Sequence, residues 1–254
     1  MRWIRSCLIA FSMYSAIPVP SLPWKEEDME YSLCFFPLVG GVITALFLGW
    51  NILGNRLFIG RIFYTSVACA IPFLITGGIH MDGFLDTTDA CASHQSSEKC
   101  LEIMKDPHLG AFAVIGALTY FILYFGAFSE LLGWKDWLLA GLAAICSRVL
   151  SGLAAVCFPA AKREGTLYAF TSAVKGRTVR IVLGCMAALC LLFMILAEPL
   201  TGTVMYASGA AVFLFYYFFS KKKFGGVTGD TEGWFLQVCE LVMTIVLVLT
   251  RSLL

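Results

Sequence analysis

Long apolar stretches separated by short polar segments dominate the hydrophobic pattern of the chain. Each stretch is close to the roughly 20 residues that an α-helix needs to cross a bilayer. Because backbone groups in lipid must satisfy their own hydrogen bonds, each stretch is predicted to be helical. The predicted spans are residues 33–53, 62–81, 110–132, 137–159, 179–197, 203–219 and 234–253. The pattern therefore predicts an all-α, polytopic membrane bundle with about seven transmembrane helices.

The first 20 residues form a shorter apolar segment with a different predicted role. Arg2 and Arg5 precede its apolar part, and Pro18 and Pro20 end it. The segment resembles a signal peptide, but no large polar domain follows it, and it is short for a spanning helix. We predict an N-terminal interfacial or re-entrant helix. No repeat or linker divides the chain, so residues 1–254 are predicted to form a single integral-membrane domain.

Composition supports the membrane assignment and excludes other classes. The chain is 59% hydrophobic and 14% charged, whereas soluble domains carry about 25% charged residues. The net charge of +1 gives no reason to expect a nucleic-acid partner. The ten cysteines form no C-x-x-C pair and lie mostly in apolar segments, so they are interpreted as small buried side chains.

The distribution of Lys and Arg predicts the orientation of the bundle, because cytoplasmic loops are enriched in these residues. With a cytoplasmic N-terminus, thirteen cations lie inside: Arg2, Arg5, Lys25, Lys99, Lys105, Lys162, Arg163, Lys175, Arg177, Arg180, Lys221, Lys222 and Lys223. Four lie outside: Arg56, Arg61, Lys135 and Arg251. The long polar loops at 82–109, 160–178 and 220–233 then share the cytoplasmic side. We therefore expect the active site there.

Three aspartates form the first candidate site, in the motif G-G-I-H-M-D-G-F-L-D-T-T-D-A at residues 77–90. Asp82, Asp86 and Asp89 are spaced i, i+4 and i+7, so on a helix they fall within roughly 60° of one another. Clustered carboxylates repel each other and favour a cation between them. Oxygen ligands suit Mg²⁺ better than Zn²⁺. A solvated acidic helix face is the alternative.

A second polar cluster follows in the segment E-K-C-L-E-I-M-K-D-P-H-L-G. The spacing predicts that Glu102, Lys105 and Asp106 share one face of a helix that ends at Pro107. Taken alone, the cluster is equally typical of a surface ion pair. Beside the three aspartates it favours metal and phosphate binding, with Lys105 and Asp106 as candidate catalytic residues and Glu102 as a substrate-binding residue.

Single polar residues in apolar surroundings supply further candidates. His80 lies on the opposite helical face from Asp82, which favours packing or support of the site over direct ligation, and we include it among candidate substrate-binding residues. Arg148 lies within the fourth span, where an arginine needs a partner. That partner is an acidic residue of the aspartate cluster, a substrate phosphate or a structural carboxylate such as Glu240.

Two cytoplasmic loops contain candidate anion-binding groups. Arg163 belongs to the basic 160–180 segment, part of which serves topology and part of which can hold an anionic substrate. Asp230 and Thr231 lie in the motif G-D-T-E-G, where glycines let backbone amides approach a phosphate. A flexible turn is the alternative for this motif. Together, these features suggest transfer of a phosphate-linked group at a membrane surface.

These motifs, in this order and over nearly the whole chain, resemble the cobalamin synthase family, also called adenosylcobinamide-GDP ribazoletransferases. The resemblance rests on the 77–90 motif, on E-I-M-K-D-P-H-L-G-A-F-A-V, on Ser147–Arg148 and on G-D-T-E-G. It implies a phosphotransferase for substituted phosphate groups in the cell (inner) membrane. Its expected substrates are adenosylcobinamide-GDP and α-ribazole or its 5′-phosphate.

The resemblance also implies Mg²⁺ as cofactor, bound to the pyrophosphate by Asp82, Asp86 and Asp89, with GMP released. The attacking group would be the 3′-hydroxyl of the ribazole ribose, and the motif singles out no general base. The lipid bilayer is the other expected partner, and a homo-oligomer is left open.

Two alternatives to this interpretation remain. CDP-alcohol phosphotransferases also use clustered aspartates at a membrane face, but their motif continues from D-G to A-R, and no A-R pair follows Asp82-Gly83. A small-molecule or ion transporter would place polar groups near the bilayer midplane and along a path to the outside. The predicted outer loops carry few such groups.

Overall fold

The computed structural model describes residues 2–20, 25–161 and 173–253. These residues form α1 Arg2–Tyr14, α2 Glu26–Met29, α3 Ser32–Arg56, α4 Arg61–Thr76, α5 Ile79–Ala92, α6 Ser97–Ile103, α7 Ala111–Ser129, α8 Trp134–Cys157, α9 Gly176–Ala197, α10 Pro199–Phe224 and α11 Gly229–Ser252. Six of them, α3 and α7 to α11, are long and apolar enough to cross a membrane. The predicted all-α, multi-pass class is therefore confirmed.

The second predicted span, 62–81, is wrong in its last residues, because the chain turns sharply after Thr76. Gly77 and Gly78 have φ of 64° and 80°, and α5 then leaves at 93° to α4. Glycine adopts this left-handed backbone without the steric penalty of a side chain, so the Gly-Gly pair ends one helix and redirects the next. The helix that carries the three aspartates is thereby turned away from the spanning direction.

The N-terminal segment forms a short helix that lies across the beginning of α3. Trp3 stacks on Tyr31, with ring centroids 4.4 Å apart, and Tyr14 packs on Phe36 at 4.2 Å. At the start of α1, Arg5 pairs with Asp28 at 3.1 Å. The helix is too short to be among the spanning candidates, and its interfacial or re-entrant placement stays a prediction.

Helix α8 occupies the centre of the bundle and packs against α3, α9 and α11. Small residues allow the α3–α8 contact, since a Cβ on Gly40 would lie 2.6 Å from the carbonyl oxygen of Ala144. The Thr44 hydroxyl on α3 also donates to the Gly141 carbonyl at 2.9 Å. By contrast, α7, α9 and α10 expose large apolar side chains such as Ile122, Leu196 and Phe218. A bilayer would cover this surface.

Ion pairs identify the two ends of the bundle. One end of the bundle contains the α4–α5 turn and is called the aspartate end. There Lys175, just before α9, binds Glu30, just before α3, at 2.9 Å. At the opposite end, Lys135 at the start of α8 binds Glu198 at 2.6 Å. Helices α7 to α11 thus alternate in direction, as an up-and-down bundle requires.

Two segments of the aspartate end are joined by backbone hydrogen bonds. The Ala161 amide donates to the Val227 carbonyl at 3.0 Å, and the Val227 amide donates to the Pro159 carbonyl at 2.8 Å. The beginning of the basic loop therefore runs beside the turn that leads into α11. The predicted site residue Arg163, like Lys162, lies outside the described residues.

Candidate active site

The three aspartates occupy one face of α5, as their spacing predicts. Asp82 is exposed, Asp86 and Asp89 are half-buried, and the intervening Gly83 and Thr87 are buried. In the part of the chain that the structure describes, no side chain donates a hydrogen bond to these carboxylates or forms an ion pair with them. The helix therefore presents free carboxylates at the aspartate end.

Burial and the neighbouring carboxylates both disfavour the charged form of Asp86, which lies on α5 and outside the six spanning helices. Burial, followed by the charges of Asp82, Asp230 and Asp89, raises the pKa of Asp86 to about 6. A cation near these groups would lower this pKa and relieve the repulsion. The site is therefore electrostatically suited to a positive ligand.

The donor chemistry fits Mg²⁺, although the described residues contain no group of three His, Cys, Asp or Glu side chains close enough to hold a metal ion. Mg²⁺ in phosphoryl-transfer sites is usually bound by one or two carboxylates, with water and substrate phosphate oxygens completing the shell. A row of carboxylates along a helix, without a closed cage, matches that pattern.

Two glycines bring α5 and α11 into direct contact. A Cβ on Gly83 would lie 2.6 Å from the backbone oxygen of Asp230, and one on Gly233 would lie 2.8 Å from the backbone oxygen of His80. Such close approach is possible only without side chains. The crossing places the start of the G-D-T-E-G helix against the start of the aspartate helix, so Asp230 joins the site.

A third glycine brings α7 to the same face. A Cβ on Gly110, which precedes α7, would lie about 2 Å from the carboxylate oxygens of Asp89. The Asp89 carboxylate thus lies at the N-terminus of α7, where the helix dipole favours negative charge. This contact supports the position of Asp89 whether or not it binds a metal.

Beneath the crossing lies a cluster of buried polar side chains. His80 is 6% exposed, and its ring lies beside the packed rings of Tyr14 and Phe36, with centroids 6.5 and 5.6 Å away. Glu232 is 7% exposed, and its Oε2 accepts a hydrogen bond of 2.6 Å from the Ser151 hydroxyl. The expectation that His80 packs behind the aspartate face agrees with this position.

Arg148 forms a buried ion pair instead of facing the aspartates. Its Nη1 lies 2.5 Å from Oε1 of Glu240, and Ser147 donates to the same oxygen at 2.9 Å. Arg148 is 1% exposed. The proposed substrate-binding role is therefore corrected to the structural alternative, because Glu240 already neutralises the guanidinium and protein encloses it.

Thr231 also has a structural role in place of substrate binding. It is fully buried, and its hydroxyl lies 2.9 Å from the Tyr216 hydroxyl. Its amide and hydroxyl bond to Thr228 at the start of α11, in a capping box. These bonds use the polar groups of Thr231 to begin the helix, which leaves the half-buried Asp230 as the polar group of the motif beside the aspartates.

The predicted shared face of Glu102, Lys105 and Asp106 is wrong. Helix α6 ends at Ile103, and i→i−3 backbone bonds tighten the chain at Lys105 and Asp106. Glu102 pairs with Lys99 at 2.8 Å, and Asp106 pairs with the His108 ring at 2.7 Å. All three are exposed, on the polar segment that ends at Gly110 beside the Asp89 carboxylate.

Sequence reasoning missed three members of the buried cluster: Tyr14, Ser151 and Glu232. Glu232 belongs to the quoted G-D-T-E-G motif, so its position gave a signal. Tyr14 and Ser151 lie in apolar segments far away in sequence, and only the packing of α1 and α8 brings them to α11. No local pattern identifies such residues.

These features define a multi-pass helical membrane protein with a carboxylate-rich polar site at one end of its bundle. Comparison with known proteins narrows this class. A family model for cobalamin-5-phosphate synthase matches residues 6–248, and the chain belongs to this family. The resemblance found in the motifs is thereby confirmed.

Curated relatives cover almost the full length. A protein of Lachnoclostridium phytofermentans named adenosylcobinamide-GDP ribazoletransferase is 42% identical over 252 residues, which is 99% of this chain and 96% of the relative. Proteins of the same name from Brevibacillus brevis and Desulfitobacterium hafniense are each 32% identical, over 95% of this chain and 96% of each relative. No solved structure matches the chain.

Proposed function

We propose that this protein is a membrane transferase that joins adenosylcobinamide-GDP to α-ribazole or α-ribazole 5′-phosphate. The products are adenosylcobalamin or its 5′-phosphate, together with GMP, in a late step of cobalamin biosynthesis. Family membership and the full-length relatives support the reaction. The structural observation that carries the proposal is the α5–α11 crossing, which gathers Asp82, Asp86 and Asp230 at one end of the bundle.

The aspartate face is the proposed binding site for the pyrophosphate with its metal. Asp82, Asp86 and Asp89 hold Mg²⁺, and Asp230 orients a substrate group across the crossing. When bound, the ion neutralises charge on the pyrophosphate and on the departing GMP. Without a cation, four carboxylates would repel an anionic substrate, so metal dependence follows from charge alone.

Residues from two loops complete the proposed anion site. Lys105 and Asp106 lie on the segment between α6 and α7, which ends next to Asp89. Lys105 supplies a positive charge for a substrate phosphate, and Arg163 does the same from the basic loop. The acid–base role stays unassigned, because Asp106 is engaged with His108.

The proposed location is the cell (inner) membrane, with the aspartate end in the cytoplasm. The excess of Lys and Arg in the segments of that end supports this orientation. Nucleotide substrates are available in the cytoplasm, so the orientation also suits the chemistry. The placement of the polar groups at an end of the bundle, away from its middle, favours an enzyme over a transporter.

The decisive experiment measures turnover by the purified full-length protein. With adenosylcobinamide-GDP, α-ribazole and Mg²⁺, we expect equimolar GMP and a cobalamin product, and no product in the presence of EDTA. Asp82→Asn and Asp86→Asn should each lower kcat by roughly 100-fold or more, because each loses a metal-binding charge. Glu98→Gln, which alters an exposed acid on α6, should keep wild-type activity.

Two outcomes would contradict the proposal. Normal activity of both aspartate variants would exclude the aspartate face as the active site. Turnover of a CDP-alcohol and an acceptor alcohol, with none of adenosylcobinamide-GDP, would assign the chain the other phosphotransfer chemistry.

A further inference from the structure

A cavity lies between α3, α4 and the end of α7, at the end of the bundle opposite the aspartates. Its volume is about 180 Å³, and the polar part of its lining comes from Asn55, Arg61, Tyr64, Thr65 and Ser129. Asn55 and Arg61 are exposed, whereas Thr65 is only 1% exposed. The cavity therefore joins the protein surface to a buried polar residue, and the proposed reaction makes no use of it.

Arg61 brings a positive charge to this cavity that no carboxylate neutralises. At the same end of the bundle, Lys135 pairs with Glu198. Arg251 pairs with Asp136. In the described part of the chain, the Arg61 guanidinium forms no ion pair or hydrogen bond. Guanidinium groups bind phosphate through parallel, charge-assisted hydrogen bonds, so Arg61 is available to an anion of this kind.

The N-terminus of α4 favours a ligand of the same charge. Arg61 is the first residue of this 16-residue helix, and the N-cap position is Gly60, which has no side chain to bond the first amides. The first N–H groups of a helix have no partner within the helix, and the helix dipole is positive at this end. Such an N-terminus binds phosphate groups readily.

Two hydroxyl groups in the cavity wall add hydrogen-bond donors. Among the described residues, the hydroxyl of the buried Thr65 has no hydrogen-bond partner, and buried polar groups almost always have one. The Tyr64 oxygen accepts a hydrogen bond of 3.1 Å from Asn51, which leaves the Tyr64 hydrogen free to be donated. Trp50 stacks on the Tyr64 ring, with centroids 5.9 Å apart, and holds it in place.

Exposed apolar side chains flank this polar lining. Leu132, itself part of the lining, is 60% exposed. Phe58 is 93% exposed, and its φ of 52° lies in a left-handed region that bulky residues rarely adopt. Ile62, the residue after Arg61, is 78% exposed. Large apolar and aromatic side chains at a helix end are typical of the membrane–water interface, so a ligand of this cavity would also meet acyl chains.

We propose that this cavity binds the headgroup phosphate of a membrane phospholipid. Arg61, the first amides of α4 and the Thr65 hydroxyl hold the phosphate oxygens, while the acyl chains cover Phe58 and Ile62. Basic pockets between transmembrane helices bind lipid headgroups in this way. The flanking apolar surface favours a lipid over free phosphate, which has nothing to cover it. The site is separate from the aspartate face and does not depend on the proposed reaction.

Lipid binding by the delipidated full-length protein in detergent micelles tests the site. The apparent Kd for dioleoyl phosphatidylglycerol is measured by native mass spectrometry. Dioleoylglycerol, which has the same chains and no phosphate, is the lipid control. The variants are Arg61→Gln and Thr65→Val. Arg56→Gln is the matched protein control, because Arg56 is also exposed at this end of the bundle but lies outside the cavity lining.

We expect the wild type to bind phosphatidylglycerol at least about tenfold more tightly than dioleoylglycerol. Arg61→Gln should weaken binding of phosphatidylglycerol by roughly 10- to 100-fold, as for loss of a hydrogen bond to a charged group. Thr65→Val should weaken it by about 3- to 10-fold, as for loss of a neutral hydrogen bond. Neither variant should alter binding of dioleoylglycerol, and Arg56→Gln should stay within about twofold of the wild type for both lipids.

Equal losses in the Arg61 and Arg56 variants would overturn the site, because they would indicate general attraction of the lipid to surface charge. Equal affinity of the wild type for the two lipids would also overturn it, and this comparison decides even if a variant fails to fold. Competition with inorganic phosphate separates the two sources of the phosphate group. If inorganic phosphate binds as tightly as phosphatidylglycerol, the cavity is a free-anion site and the lipid assignment is wrong, whereas weak competition supports the lipid.

Discussion

The polar residues of α5 differ in environment although they are close in sequence. Asp82 is exposed, Asp86 and Asp89 are half-buried, and His80 is buried beside aromatic rings. This difference follows from helical geometry, because residues two apart point in nearly opposite directions. One face of the helix therefore presents carboxylates while the other contributes to a buried polar cluster.

The raised pKa of Asp86 predicts a pH-dependent stability of the metal-free protein. Its pKa is about 6 in the folded protein against 3.8 ordinarily, so the folded state binds this proton more tightly. Ionisation therefore destabilises the fold: the penalty is absent below pH 3.8, develops up to about pH 6 and is complete above. The quantity to compare is the wild-type Tm minus the Asp86→Asn Tm, both measured in EDTA. This difference should be about 2–4 °C larger at pH 5 than at pH 7.5.

Thermal unfolding in micelles measures this difference, with Glu98→Gln as a control that should follow the wild type. Saturating Mg²⁺ should abolish most of the pH dependence, because a bound cation favours the ionised carboxylate. If the Tm difference between the wild type and Asp86→Asn did not change with pH, the predicted cost of ionising Asp86 in the folded protein would be contradicted.

At the residue scale, the sequence predicted what depends on local periodicity alone. The spacing of Asp82, Asp86 and Asp89 requires only that α5 be helical, and it is. The shared face of Glu102 and Asp106 also required the position of a helix end, which lies three residues earlier than Pro107 implied. The role of Thr231 depends on its capping partner Thr228 and on Tyr216, which bonds its hydroxyl from another helix.

At the scale of helices, close glycine contacts determine which polar groups meet. Gly83 and Gly233 lie at the α5–α11 crossing, and Gly110 lets Asp89 reach the start of α7. Apolar burial alone would not fix this register, since lipid is as apolar as the helix surfaces. The glycines of the two motifs are therefore explained by helix packing, in addition to any approach of a phosphate.

Gly83→Ala should separate α5 from α11. The added Cβ would lie 2.6 Å from the backbone oxygen of Asp230, so the helices must move apart. We expect a loss of stability of about 1–3 kcal/mol and a fall in kcat of at least about tenfold. Unfolding in micelles and GMP release measure the two effects.

Gly184→Ala is the matched control for this prediction. Gly184 lies in α9, and its Cβ would meet nothing within 4 Å. This variant should keep its activity and gain slightly in stability, because alanine favours helix over glycine. Equal activity of the Gly83 and Gly184 variants would show that the crossing does not position the site.

The Arg148–Glu240 pair connects α8 to α11 and should behave as a buried salt bridge. Arg148→Met leaves Glu240 buried without its counter-ion, which should cost about 3–5 kcal/mol of stability. The double variant Arg148→Met/Glu240→Leu removes both charges and should recover most of that loss. A double-mutant cycle of unfolding free energies measures the coupling, and additive losses would contradict it.

At the scale of the whole molecule, the multi-pass class followed from composition and apolar length, whereas the direction of α5 did not. The window 62–81 is apolar enough to read as one span, and only the left-handed Gly77–Gly78 pair reveals the bend. The buried contacts of Tyr14 and Ser151 likewise depend on how α1 and α8 pack. Tertiary packing decides these contacts, and no local signal carries that information.

The orientation of the bundle gives a prediction for the intact cell, because the two ends differ in charge. Ser96→Cys lies between α5 and α6 at the aspartate end, and Leu57→Cys follows α3 at the opposite end; both positions are exposed. In a background with the exposed Cys157 and Cys185 replaced by alanine, an impermeant maleimide added to intact cells should label Leu57→Cys and spare Ser96→Cys. Permeabilised cells should give labelling at both positions, which controls for reactivity. The reverse pattern in intact cells would place the aspartate face outside the cytoplasm, where a nucleotide-linked substrate would have to be exported before it could react.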